Sequence, residues 1–99
     1  MKYRLEIGRG VRLEIAEHWA FWETFQPGSG DRLTAEIFEM LDILQDNPYL
    51  FQSKYGDRRV ALTKHYKYKI IYRIKDKSVV RILTIRHPRQ HPTSWMERL

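Results

Sequence analysis

The sequence has no cysteine. That excludes a disulfide framework, a thiolate nucleophile and a cysteine-ligated metal site, and it fits a reducing compartment. Long apolar runs are also missing: no stretch approaches the roughly 20 residues that span a bilayer. The opening Met1-Lys2-Tyr3-Arg4-Leu5-Glu6-Ile7 alternates charged and apolar residues, unlike the apolar centre of a secretory signal. There is no internal repeat and no low-complexity segment. A glycine-rich phosphate loop and a strand-turn-helix nucleophile elbow are absent as well. These absences point to a cytoplasmic protein with no membrane partner, cofactor or metal. Acidic residues become scarce after residue 50. Residues 1–50 hold five Lys/Arg against nine Asp/Glu, a balance of −4, whereas residues 51–99 hold thirteen against three, a balance of +10. Charge segregated in this way suits an acidic partner, either nucleic acid or protein.

The 99 residues, 42% hydrophobic and 13% aromatic, suffice for one domain with one modest core. Residues 2–7 alternate strictly, with Tyr3, Leu5 and Ile7 on one side, and predict a half-buried strand ended by Gly8 and Gly10. From Val11 to Phe25 the period becomes helical, with Val11, Ile15, Trp19 and Trp22 forming the apolar stripe. Phe21 and Phe25 extend the apolar surface beyond what a small core requires. After Gln26-Pro27-Gly28-Ser29-Gly30, a second helix is expected over Asp31–Gln45, capped by Ser29 or Asp31 and stopped by Asn47-Pro48. Three strands follow: Arg58–Thr63, Tyr66–Lys75 and, after a two-residue turn at Asp76-Lys77, Ser78–Arg86. The order β-α-α-β-β-β predicts an α+β domain, an antiparallel sheet with a helical hairpin packed on one face.

The candidate chemistry lies on the last two strands. Alternation puts Lys67, Lys69, Ile71, Arg73 and Lys75 on one face, and Tyr68, Ile70, Tyr72 and Ile74 on the other. A two-residue turn would pair Lys69 with Thr84 and Lys67 with Arg86. Arg58, Arg59, Lys64, Arg86 and Arg89 enlarge the cationic surface, with His87 and His91 at its rim. Cations flanking a phosphate can stabilise the transition state of RNA cleavage, in which the 2′-hydroxyl is the nucleophile and histidine the usual acid or base. No acidic residue is expected on this face. The plainer reading of the same cations is the solvated side of a sheet, and of Tyr68 and Tyr72 it is core. His18 reads as a packed or exposed helix residue, and His65 as a solvated turn residue. His87 and His91 have Pro88 between them, which denies them the helix that a zinc pair at that spacing would use.

The opening strand Tyr3–Ile7 and the helix pair split at Pro27-Gly28-Ser29-Gly30-Asp31-Arg32 give this chain a recognisable outline. Leu44-Gln45-Asp46-Asn47-Pro48-Tyr49, Arg58-Arg59-Val60, Tyr68–Ile74, Val80-Arg81-Ile82-Leu83 and the ending His87–Trp95 complete it. In this order these segments resemble the RelE/ParE superfamily of toxins from bacterial type II toxin–antitoxin systems. The resemblance implies a fold like that of small microbial ribonucleases and a cognate antitoxin, encoded by a neighbouring gene, whose C-terminal segment wraps the toxin. It implies one of two targets: messenger RNA on the ribosome for RelE-like members, or DNA gyrase for ParE-like members. On the RelE side it implies a metal-independent endoribonuclease with Lys69 and Arg86 as phosphate stabilisers and His87 as acid or base. Arg59, Lys67, Arg73 and Arg89 would be nucleic-acid contacts. Ala61 stands where a second basic residue is usual, and Trp95 where RelE members have a tyrosine. The His87–Trp95 ending is closer to ParE members. Trp19, Trp22 and Phe25 are the expected antitoxin contacts. A non-enzymatic nucleic-acid-binding module is the alternative of another class.

Overall fold

The computed structural model describes residues 2–89, so the expectations placed on His91 and Trp95 fall outside the described residues. Strand β1 (Arg4–Ile7) leads through Gly8 into α1 (Arg9–Phe25) and then α2 (Ser29–Asp46). Strands β2 (Ser53–Tyr55), β3 (Arg58–Leu62), β4 (Lys69–Ile74) and β5 (Val79–Arg86) follow. The five strands form one sheet in the order β1-β5-β4-β3-β2.

The junction between the helices is tighter than expected. Gly28, at φ +90°, is the residue before α2, and neither Ser29 nor Asp31 caps the helix with its side chain. Instead the Glu23 carboxylate, from the last turn of α1, accepts the backbone N–H groups of Gly28 (2.9 Å) and Gly30 (2.8 Å). The end of one helix thereby satisfies donors that the start of the next leaves unpaired. Asp31 accepts the indole N–H of Trp19 at 2.8 Å, and Ser29 shares a hydrogen bond with the Tyr66 hydroxyl at 2.8 Å. At the far end Asn47-Pro48 stops α2, and the Pro48 carbonyl accepts the buried Tyr72 hydroxyl at 2.8 Å.

The core lies between the helices and one sheet face. Leu33, Ile37, Leu41 and Leu44 of α2 meet Ala61, Ile70, Tyr72, Val80, Ile82 and Ile85 of the sheet, with Val11 contributed by α1. Each fully buried aliphatic side chain of this kind contributes about 1.5–3 kcal/mol over leaving it in water. The buried side of α1 runs through Val11, Ile15 and Trp22, whereas Trp19 stands 41% exposed beside the stripe.

Three features of the sheet differ from the expectation. The sheet is mixed: β1 pairs with β5 in parallel, Glu6 opposite Arg81. Alternation reveals a strand but carries no information about its direction. Strand β2 is three polar residues at a sheet edge, too short to show a period, and it turns into β3 through Gly56 at φ +65°. The β4–β5 turn is longer than two residues: Lys75 N–H donates to Val79 O, and the Asp76 carboxylate accepts both the N–H and hydroxyl of Ser78. A bulge then leaves Leu83 without a partner between the pairs Ile71–Thr84 and Tyr72–Ile82, so Lys69 lies directly opposite Arg86 rather than Thr84.

Gly30 marks the closest approach of the helices. A Cβ there would lie 2.5 Å from the Trp19 carbonyl oxygen and 2.8 Å from Glu23 Cγ. Gly30→Ala is expected to destabilise the chain by about 1–3 kcal/mol in urea unfolding. Gly10→Ala, in a helical position open to solvent, should stabilise it by roughly 0.5–1 kcal/mol.

Candidate functional site

The sheet face turned away from the core is cationic, but it is not free of acids. Lys69 faces Arg86 and Arg73 faces Arg81 across the β4–β5 ladder. Glu6, brought alongside by the parallel pairing of β1, takes Arg4 (3.5 Å), Lys75 (3.5 Å) and Arg81 (3.4 Å). Asp57 takes Arg58 (3.0 Å) and Arg73 (3.5 Å), and Glu14 of α1 takes Arg86 at 3.4 Å. The expectation of a face without acids is therefore corrected: β1 and α1 deliver carboxylates to it. The more exposed of these pairs, such as Arg73 with Asp57, add at most about 1 kcal/mol each to stability. Their larger consequence is to lower the charge that a phosphate would meet.

The other expected cations are dispersed. Arg59 lies opposite Tyr72 on the core side of the sheet, where its guanidinium donates to the Phe51 carbonyl and sits 5.2 Å from the Tyr49 ring centre. Burial pushes the Tyr72 phenol up to about 12, with the Arg59 charge opposing. Lys67 is not in β4. It occupies the left-handed region at φ 59°, inside a loop closed by Thr63 N–H to Tyr68 O (3.0 Å) and Tyr68 N–H to the Thr63 hydroxyl (2.9 Å). Arg89 is exposed beyond β5, its backbone N–H donating to His87 Nδ1 at 3.0 Å.

His87 turns toward the helices. Its ring packs edge-on against Tyr68, centroids 5.4 Å apart, on the side opposite Lys69 and Arg86. Tyr68 also meets His18 edge-on at 4.8 Å, which makes a His18–Tyr68–His87 series. Burial, then the Arg89 charge, then His18 hold His87 below the ordinary histidine value. Lys69 and Arg86 are thus brought together, and His87 is not brought to them.

His18 has a definite task. Strand β1 pairs with β5 only from Val79 to Ile82. Beyond that point Ile85 N–H donates to Glu14 (3.1 Å), the Thr84 hydroxyl donates to Glu14 (2.7 Å), and His18 Nε2–H donates to Ile85 O (2.7 Å). Two side chains four apart on α1 complete the edge of β5. Nothing in the sequence distinguishes this pair from any other i, i+4 polar pair.

The aromatic surface of α1 follows the expectation in part. Phe25 is 69% exposed and Phe21 50%, their rings 5.0 Å apart. Trp22 is half-buried, its indole donating to the Tyr68 hydroxyl at 2.8 Å. No group of three or more metal-ligating residues occurs among the described residues, and no described helix is long and apolar enough to cross a membrane.

Comparison with known proteins accords with this architecture. Residues 6–92 match the family described as ParE toxin of type II toxin–antitoxin system, parDE. The chain belongs to this family, within the RelE/ParE superfamily, and is the toxin component of such a module. Among solved structures it is similar to a chain of the chromosomal ParDE toxin–antitoxin system from P. aeruginosa. The TM-score is 0.75 and the identity 14%, covering 87% of this chain and 96% of that one, which shows a shared fold. No curated protein matches.

The loop that carries Lys67 is held to α2 by Glu36. Its carboxylate accepts His65 N–H (2.9 Å) and Tyr66 N–H (3.1 Å) and pairs with the His65 ring at 2.6 Å. Burial acts to raise the Glu36 carboxyl, and these bonds more than offset it, leaving it below its ordinary 4.5. A depressed carboxyl stabilises the fold above its unfolded-state value and loses that contribution as pH falls through the folded value. Acid titration of unfolding free energy should therefore show a loss beginning near pH 4.5, reduced in Glu36→Gln.

Proposed function

We propose that this ParE-family toxin arrests growth in the cytoplasm by binding DNA gyrase, not by cutting messenger RNA, and that a cognate antitoxin encoded by a neighbouring gene silences it. The observation that supports this most is the separation of His87 from Lys69 and Arg86. General acid–base catalysis needs the proton-transfer group within hydrogen-bond reach of the same phosphate that the cations hold. Here His87 lies against Tyr68 on the helix side, and Arg86 already faces Glu14. The basic face then serves as a contact surface for its target.

Ribosome-dependent cleavage is the second reading, and the direct Lys69–Arg86 pairing favours it. A non-enzymatic nucleic-acid-binding module has less support, because Arg59, Lys67, Arg73 and Arg89 lie on separate parts of the surface. For the antitoxin, Phe25, Trp22 and Trp19 offer an apolar strip. An acidic, amphipathic segment suits such a strip beside a basic surface, with the aromatics as anchors.

Expressing the chain alone in bacteria, while mapping RNA 5′ ends and assaying plasmid supercoiling, separates the targets. The expected result is lost supercoiling and growth arrest without new ends inside codons. Abundant new ends within minutes would instead establish the nuclease and return Lys69, Arg86 and His87 to catalytic roles. Phe25→Ser should weaken antitoxin binding at least tenfold by calorimetry while leaving the fold intact, since the ring is largely solvent-exposed. Unchanged affinity would move the antitoxin off α1.

A further inference from the structure

A second concentration of chemistry lies away from the basic face. A cleft of about 430 Å³ opens between α1 and the end of β5, lined by Glu17, His18, Phe21, Tyr68, His87 and Arg89. Its size falls in the usual range for small-molecule sites. An adjoining space of about 530 Å³ shares Phe21, His87 and Arg89 and continues past Phe25 toward Tyr66 and His65.

The polar groups of the cleft are already oriented. His18 gives its Nε2 hydrogen to Ile85 O, so in the neutral ring Nδ1 is the acceptor nitrogen. His87 accepts at Nδ1, which places its hydrogen on Nε2. Tyr68 accepts from the Trp22 indole, which leaves its own hydroxyl hydrogen to donate. Arg89 adds a full positive charge, and Glu17 is the one carboxylate in the lining among the described residues. Phe21, half exposed, supplies a flat apolar wall braced edge-on by Trp22 at 5.9 Å and Phe25 at 5.0 Å.

We propose that this cleft binds a phosphorylated nucleoside, with the phosphate between His87 and Arg89 and the base against Phe21. Convergent donors and a cation select the phosphate. A ring face beside them selects the base, since stacking on an aromatic side chain tolerates any base. Burial first, and then the charges of Arg89 and His18, hold His87 toward its neutral form, and a phosphate placed beside it would favour the protonated ring. Among the described residues, the charged and titratable groups lining the cleft around His87 are His18 and Glu17 from α1, Tyr68 beside β4 and Arg89 from its own turn. The inference does not rest on the gyrase reading, because the cleft lies on the helix side, away from Lys69 and Arg86, and its test reads binding to the free chain.

The test is an NMR titration of the full chain with 5′-AMP, and separately with inorganic phosphate and with adenosine, following histidine and phenylalanine side-chain signals. The expected result is that 5′-AMP moves the His87 and Phe21 signals together and raises the His87 midpoint by about one pH unit. Phe21→Ala and His87→Gln should each weaken binding roughly tenfold. Lys54→Ala, an exposed cation on β2, should leave it unchanged. The proposal is overturned if 5′-AMP leaves both signals in place at millimolar concentration, or if inorganic phosphate alone produces the full effect. It is overturned equally if Lys54→Ala weakens binding as much as Phe21→Ala, or if an acidic peptide moves these signals and the nucleotide does not.

Discussion

The structure depends on β5 being hydrogen-bonded along both of its edges. Strand β4 covers one edge from Val80 to Arg86, interrupted only by the bulge at Leu83. The other edge is shared: β1 covers Val79–Ile82, and Glu14 and His18 of α1 take over at Ile85. Buried backbone groups without partners cost more than most surface contacts return, so α1 is tied to β5 by hydrogen bonding as well as by packing. That tie fixes where the rest of α1 lies. It sets Trp22 over Tyr68, presents Phe21 and Phe25 to solvent, and brings His18 within a ring's width of Tyr68.

The same arrangement explains why the charge pattern of the sequence is only partly visible on the folded surface. The acidic first half and basic second half do not remain apart. Glu6 is carried to Arg81 by the parallel pairing of β1, and Glu14 is carried to Arg86 by α1. Charges distant in sequence become neighbours, and the cationic face keeps an excess without being uniform.

Much of the fold was legible in the sequence because it rests on local pattern. Period-2 and period-3.6 hydrophobicity located both helices and all the strands that bury a face, and Pro27-Gly28 and Asn47-Pro48 bounded the helices. Strand β2 was not legible, since Ser53-Lys54-Tyr55 buries too little to leave a pattern. The α1 stripe was one position off at Trp19, whose indole turns to Asp31 instead of the core. The candidate site was less legible. Lys69 and Arg86 were expected on one face, but both their sharing it and their direct pairing depended on the turn length and on the bulge at Leu83. Arg59 was expected on the cationic surface, and its pairing with Tyr72 puts it on the core side instead.

The sequence by itself determined the class of fold, the helical hairpin, the core side chains and the excess of positive charge in the second half. Composition and periodicity act over neighbouring residues, where backbone geometry fixes which side chains share a face. Only the tertiary structure decided strand direction, register, the placement of carboxylates on the basic face and the turning of His87 toward His18 and Tyr68. Those outcomes arise from contacts between residues up to 75 positions apart, as between Glu6 and Arg81. Such contacts are selected by the burial and hydrogen bonding of the whole sheet, which no local stretch of the chain encodes.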